Sequence, residues 1–327
     1  MKHHYWEPPI ALYLFLGGLA GGIMFLSAIF DSFVLPGHTA IFALPVLVAF
    51  ICICVGLVCL LVDLGQPGVF WRVFRTATSV IKWGAVFLVI DTIVSMIFVV
   101  AFLGDSWTFL APLSNLLQPI ASPLLLVGGF FGLCIMMYTG IMLSTLKAHA
   151  FWATPALPVL FTISAISTGC AAVVLFAAGF PAVASLENLE AALEVNHILH
   201  TVDIILVIVE LIVLLTMVLS FLGAGNKTAQ KAAKRWVCGS YAPLFWIGMI
   251  GVGLLIPLAL YLGVGAGNIP EAVAPILVLC GGCLLRFMVV NTDDRAPLPG
   301  EEKYMGRVAN HKYAFAKRWD YNGENEF

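Results

Sequence analysis

Long apolar runs alternate with short polar stretches along the chain as far as about residue 290. Eight of these runs are long enough to span a bilayer. They cover residues 10–35, 39–62, 80–103, 119–146, 155–178, 198–222, 242–264 and 272–290. A helix needs about 20 apolar residues to cross the hydrocarbon core. Backbone groups in lipid must be bonded internally, which selects helices for such runs. The pattern therefore predicts an all-α, polytopic membrane protein with eight transmembrane helices over residues 1–290. The first run is much longer than the apolar core of a cleavable signal, so a retained first span is expected.

The stretches between the spans are informative. Residues 63–78 mix Phe70, Trp71, Val73 and Phe74 with Arg72 and Arg75, as a short interfacial amphipathic segment would. Residues 185–194 set Leu186, Leu189 and Leu193 at helical spacing against Glu187, Glu190 and Glu194. An extramembrane helix is expected there, with Ser185 as its N-cap. Residues 226–235 read as a basic loop. Residues 291–327 are polar, charged and rich in aromatic side chains, and are expected to form an extramembrane strap on the membrane face or on a partner.

Composition agrees with the pattern. Apolar residues make up 61% of the 327 residues and charged ones 10%, against about 25% charged in a soluble domain. A water-soluble globule, a disordered chain and a disulfide scaffold are excluded, and no nucleic-acid partner is expected. Charge placement sharpens the picture. With eight spans both termini share one side, and all 16 Lys and Arg residues fall on that side. The opposite connections carry Asp105, Glu187, Glu190, Glu194 and Glu271. The positive-inside rule then puts both termini in the cytoplasm, with the chain in the cell (inner) membrane and the tail cytoplasmic. The eight cysteines lie in or near apolar runs, where free Cys behaves as a small hydrophobe. Cys280 and Cys283 have CxxC spacing, but a metal site normally needs a second ligand pair.

Ionisable residues at membrane depth are costly and usually functional. Asp91 falls near the middle of the third span. Asp203 and Glu210 lie seven residues apart on the sixth and share a face, and Arg286 lies in the eighth. Two readings stay open: structural ion pairs or hydrogen bonds between helices, or a proton or ion relay. Gly17, Gly18, Gly21 and Gly22 in the first span permit close helix packing or a flat ligand. None of the seven histidines (His3, His4, His38, His149, His197, His200 and His311) lies at mid-span, so a bundle-embedded b-type haem is not expected. His197 and His200 at the mouth of the sixth span suggest either interfacial hydrogen bonding or a metal site shared with His38. No phosphate-binding Gly loop, nucleophile elbow or HExxH is present, and no metal is expected in this chain.

Several stretches in fixed order carry a likeness. They are Pro9, Tyr13, Gly17, Gly18, Gly21 and Gly22; then Asp63, Gly65, Gln66 and Pro67 followed by Ser79, Trp83 and Gly84; then Tyr138, Thr139 and Gly140. Trp152 through Ser167 and Gly169, then Gly253 and Pro257, then Gly281, Gly282 and Arg286 continue it. Together they resemble the NrfD/polysulfide-reductase family of quinone-interacting integral membrane subunits, over nearly all eight spans. The resemblance implies two four-helix bundles and a haem-free membrane anchor that binds a quinone (menaquinone or ubiquinone). It implies electron exchange with a four-cluster ferredoxin-like iron–sulfur subunit. That subunit would connect to a catalytic partner, most often a molybdopterin enzyme, in some relatives a multihaem cytochrome.

Topology puts Tyr13, Gly17, Asp63, Gln66 and Tyr138 toward one membrane face, because the first span starts there and the second and fourth end there. The family's quinone site lies at this end of the first four helices. The resemblance implies Tyr138 as the leading head-group contact and Gly17, Gly18 and Gly21 as a packing wall, with Tyr13 a further quinone-site candidate. Asp63 is a candidate for proton exchange. Tyr138 as a buried, satisfied tyrosine is the competing reading. Many relatives dock their partners outside the cytoplasm, whereas the charge distribution here turns the quinone end inward, so a cytoplasmic partner is one consequence. A respiratory quinone-reacting subunit is the expected function, with Asp91, Asp203, Glu210 and Arg286 as a proton pathway. The alternatives are a secondary transporter using the same acids and an inert membrane anchor.

Overall fold

A computed structural model describes residues 8–63, 79–104, 109–147, 149–177, 185–223, 226–263 and 271–292. Every regular element among them is a helix. In chain order these are α1 (Pro8–Ile29), α2 (Ala43–Asp63), α3 (Val80–Leu103), α4 (Ala111–Leu117), α5 (Ala121–Ser144), α6 (Ala156–Phe176), α7 (Leu186–Leu222), α8 (Lys227–Val237), α9 (Ile256–Tyr261) and α10 (Val273–Asn291). Eight helical stretches are long and apolar enough to cross a membrane, matching the eight predicted runs. The interfacial segment expected at 63–78, apart from Asp63 at the end of α2, and the tail beyond Thr292 lie outside the described residues.

Helices α1, α2, α3 and α5 pack as one group, and α6, α7, the seventh span and α10 as the other. Helix α1 is the seam. It packs most extensively on α5 and α2, and also lies against α6 and α10. Its glycines make this possible. A Cβ on Gly21 would sit 2.6 Å from the Gly132 carbonyl oxygen of α5, and one on Gly22 would overlap the Ala165 carbonyl of α6. Helix α7 turns Ile205, Ile208, Ile212 and Leu219 outward, where lipid covers them at no cost.

Four local features depart from the simplest reading of the sequence. The first span ends in a π-helical turn, Phe30–Val34. The fourth is entered through α4 and a 3₁₀ turn, Gln118–Ile120. The seventh begins as a π-helix, Leu244–Leu255, and tightens into α9 at Pro257. Proline lacks the N–H that the standard helix ladder needs, and Gly253 lets this span press on Gly281 of α10. Helix α7 runs unbroken for 37 residues, so the predicted extramembrane helix and the sixth span are one rod. Its N-cap is as expected: the Ser185 hydroxyl accepts from the Asn188 N–H at 3.2 Å.

One expectation is corrected. Residues 226–235 are not a loop but form most of α8, N-capped by Asn226, whose Oδ1 accepts from the Thr228 N–H at 3.0 Å. The reason is amphipathicity. Ala229, Ala232, Ala233 and Trp236 recur at helical spacing and are fully buried, while Lys231 and Lys234 stay exposed.

Candidate functional site

The terminal-side end of the first bundle brings two tyrosines together. Tyr13, on the first turns of α1, and Tyr138, late on α5, are both buried and lie close enough to interact electrostatically. The Tyr138 hydroxyl donates to the Met142 sulfur at 3.1 Å. Its ring occupies the space that any side chain at position 84 of α3 would need, so Gly84 is the floor beneath it. Gly56 of α2 stands in ordinary contact with the Tyr13 ring, 3.5 Å from where a Cβ would be. Helices α2 and α5 thus meet α1 here, and α3 closes on Tyr138 through Gly84.

The glycines of α1 divide between two faces. Gly17 stands in ordinary contact with Ile135 of α5, on the tyrosine side. Gly21 is taken up by the backbone of α5. Gly18 faces Ala165 of α6, and an added Cβ would be 3.5 Å from Arg286 Nη2, so this glycine borders the second bundle rather than the tyrosines. Asp63 is the last residue of α2, and its side chain lies outside the described residues.

The second bundle holds a connected polar network. Arg286 on α10 donates through Nη1 to the Ser164 hydroxyl and to the Gly282 carbonyl at 3.3 Å, and through Nη2 to the Phe161 carbonyl at 3.0 Å. Its guanidinium also lies 4.9 Å from the Phe161 ring centre, a cation–π contact. The Ser164 hydroxyl keeps its own proton free for Glu210 of α7, which feels the Arg286 charge. One turn further along α6, the Ser167 hydroxyl donates to Asp203 Oδ1 at 2.5 Å, while Tyr261 donates to Oδ2 at 2.9 Å. The pairing of Asp203 and Glu210 on one face of α7 is as the seven-residue spacing predicts. Of the buried acids, Glu210 is the one coupled electrostatically to Arg286, with Ser164 between them.

Asp91 does not join this network. It sits in the first bundle, fully buried on α3, and neither carboxylate oxygen has a hydrogen-bond partner among the described residues. Ser27 of α1 and Asp31 in the π-helical turn that follows it are buried and unpartnered in the same way. The four residues proposed as a single pathway therefore split, three against one.

His38 Nδ1 lies 3.3 Å from Asn188 Oδ1, and the His200 ring stands edge-on to Tyr261. Among the described residues no three His, Cys, Asp or Glu side chains converge as a metal site. Sequence reasoning overlooked several residues that matter here. Ser164 and Tyr261 are unremarkable members of apolar helices, and only the three-residue spacing of Ser164 and Ser167 marks a polar stripe. Ser27 and Asp31, four apart on the first span, carry the same kind of signal.

Comparison with known proteins identifies the family. The family described as polysulphide reductase, NrfD, matches residues 1–293. A polysulfide reductase chain of Wolinella succinogenes is 30% identical over 302 residues, spanning 87% of the present sequence and 93% of the relative. Protein NrfD of Escherichia coli is 26% identical over 306 residues, with the same coverage. A selenate reductase subunit of Mesobacillus selenatarsenatis is 22% identical over 320 residues, 87% of the present sequence and 73% of the relative. The protein belongs to the NrfD family of multi-pass membrane proteins.

Proposed function

We propose that this NrfD-family protein is the quinone-reacting membrane subunit of a respiratory oxidoreductase complex, and that its head-group site is the Tyr13–Tyr138 pair. The observation that carries the reading is that pair: two buried tyrosines, one from α1 and one from α5, that interact electrostatically, with Gly84 of α3 leaving the space that the Tyr138 ring fills. A quinone site needs donors for its carbonyls inside an apolar slot. The residues here fit that need, with Tyr138 and Tyr13 as polar contacts and Gly17 on the adjoining wall. Relatives named as parts of polysulfide and selenate reductases support a place in a multi-subunit complex.

A quinol supplies two electrons and two protons, and a quinone takes up the same. The protein's own residues bind and orient the head group and manage its protons. Tyr138 holds a proton at its phenolic oxygen, with Met142 as the resting acceptor, and Tyr13 is the second exchange partner. Asp63, closing α2 at the same membrane face, is a further exchange group. Asp91, Asp203, Glu210 and Arg286 are the buried groups available to carry protons through the bundles. Electrons pass to a four-cluster ferredoxin-like iron–sulfur subunit and on to a catalytic subunit, most consistently a molybdopterin enzyme, with a multihaem cytochrome as the alternative. The terminal substrate is converted there, not in this protein. The basic residues put both termini in the cytoplasm, with the protein in the cell membrane.

The test is Tyr138→Phe in the intact complex. Quinol-dependent reduction of the partner's clusters is expected to fall roughly 10- to 100-fold, the scale of losing a positioned proton donor, with subunit composition unchanged. Unaltered turnover would reject Tyr138 as a head-group contact.

A further inference from the structure

The interior of the first bundle contains polar groups for which the structure offers no partner. On α1, residues 20, 24 and 27 fall within about 40° of Tyr13 at 3.6 residues per turn, and Asp31 follows Ser27 by four residues in the π-helical turn. This face carries Tyr13 at one end of the span and Ser27 and Asp31 toward the other. On α3, Gly84 and Asp91 are two turns apart on one face, and Gly84 lies under the Tyr138 ring. The two faces meet at Gly128 of α5. Where a Cβ of Gly128 would stand, Asp91 Oδ1 is 3.5 Å away, and Met24 of α1 and Val94 of α3 converge on the same point. Ser27 follows Met24 by one turn and Asp31 by two. The sequence of groups along the bundle is thus Tyr13 and Tyr138, then Asp91, then Ser27, then Asp31.

Asp91, Ser27 and Asp31 are each no more than 1% exposed, and all five of their side-chain oxygens lack a hydrogen-bond partner among the described residues. No counter-charge is at hand. Among the described residues, α1, α2, α3 and α5 carry one basic side chain, Lys82, which lies over the Trp83 ring in the first turn of α3. The remaining ionisable side chains on these helices are Tyr13, Tyr138, Asp63 and the thiols of Cys52, Cys54, Cys59 and Cys134. Arg286 borders α1 at Gly18, about 140° around the helix from Tyr13 at 3.6 residues per turn. Burying groups such as Asp91, Ser27 and Asp31 without a partner is costly, and ionisable residues at membrane depth are ordinarily functional.

We propose that Asp91, Ser27 and Asp31 are stations of a proton-exchange line inside the first bundle, leading from the Tyr13–Tyr138 pair to the membrane face opposite the chain termini. This rests on the quinone reading of that pair. The stations stand about 5–10 Å apart along the helix axes at 1.5 Å per residue, so water carries the proton between them. Each transfer breaks one O–H bond and forms another, and moves no electron. Oxidation of quinol delivers protons into the line, and reduction of quinone draws them out. Electrons leave separately through the iron–sulfur partner. Neither Ser27 nor Asp31 enters the pathway inferred from sequence, and Asp203, Glu210 and Arg286 are not part of this line.

The experiment uses the whole complex, wild type and with Asp91→Asn, Asp31→Asn, Asp31→Glu or Ser27→Ala, comparing only preparations of wild-type subunit composition. Infrared spectra in deuterated water follow the carboxylic C=O band that Asp91→Asn abolishes, with no quinone added. Liposomes with separate pH dyes inside and outside then report the face at which turnover protons appear. Asp31→Asn is expected to slow deuterium exchange of the Asp91 band at least tenfold and to cut proton exchange at the opposite face as much. Ser27→Ala slows both less, and Asp31→Glu restores at least half. Wild-type exchange in both Asp→Asn variants, or a wild-type complex lacking any Asp91 carboxylic band, overturns the line. A wild-type complex that neither binds nor turns over quinone instead defeats the quinone reading, and the infrared measurement still decides the fate of the line.

Discussion

Asp203 on α7 receives hydroxyl hydrogen bonds on both carboxylate oxygens, whereas Asp91 on α3 receives none, although both are buried within their spans. The same contrast holds for their surroundings. The second bundle supplies Ser164, Ser167, Tyr261 and Arg286 to its acids, and the first supplies no positive charge within the hydrocarbon region to Asp91 or Asp31. Among the described, fully buried side-chain nitrogen and oxygen atoms of the second bundle, only Arg286 Nε and the Asn196 oxygen lack partners. A satisfied network fixes one arrangement of helices, and its members cannot leave without stranding a partner. An unpartnered acid fixes nothing in the fold.

Substitutions separate these roles through stability, read as unfolding of the purified protein in detergent. The largest effect is expected at Arg286. Arg286→Met leaves Glu210 buried without its positive charge and is expected to cost about 3–5 kcal/mol. A loss under about 1 kcal/mol would show that the network does not hold the second bundle together. Next is the seam. Gly22→Ala drives a methyl into the backbone of α6 and is expected to cost about 1–3 kcal/mol, while Gly17→Ala, with 3.8 Å to Ile135, is expected to be near neutral. Equal losses at the two positions would mean that α1 does not divide its glycine faces as described.

Ser167→Ala removes one of the two hydroxyls on Asp203 and is expected to cost about 1–3 kcal/mol. The cost should fall when it is combined with Asp203→Asn, which a double-mutant cycle reads directly. The smallest change in stability is expected from Asp91→Asn, within about 1 kcal/mol of wild type, because no partner is stranded. A loss as large as that of Arg286→Met would reveal a bonded Asp91 and erase the contrast between the bundles.

Much of this was legible in the amino-acid sequence. The eight spans follow from run length alone, since nothing else in a sequence needs about 20 consecutive apolar residues. The common face of Asp203 and Glu210 follows from helical period. The mutual approach of Tyr13 and Tyr138 at one membrane face follows from span order, although their contact does not. What stayed hidden depends on rotation of one helix against another. Nothing local in α3 says that Asp91 turns toward α1 and α5, away from α6 and α7. Nothing near Arg286 says that Glu210 faces it through Ser164. Helix α8 was missed for a different reason: its basic residues dominate the composition, and its buried Ala and Trp side chains were not weighed as a face. Asp31 lies near the end of a span, where an acid ordinarily reaches water, and only packing makes it buried.

The central claim is that quinone meets this protein at the Tyr13–Tyr138 end of the first bundle. Photo-crosslinking of the native complex with an azido-quinone, followed by mapping of the labelled peptides, tests it most directly. The account predicts label on the α1 stretch around Tyr13 and Gly17 or on the α5 stretch from Tyr138 to Met142, displaced by excess unlabelled quinone. Displaceable label confined to α6, α7 and α10 would contradict it.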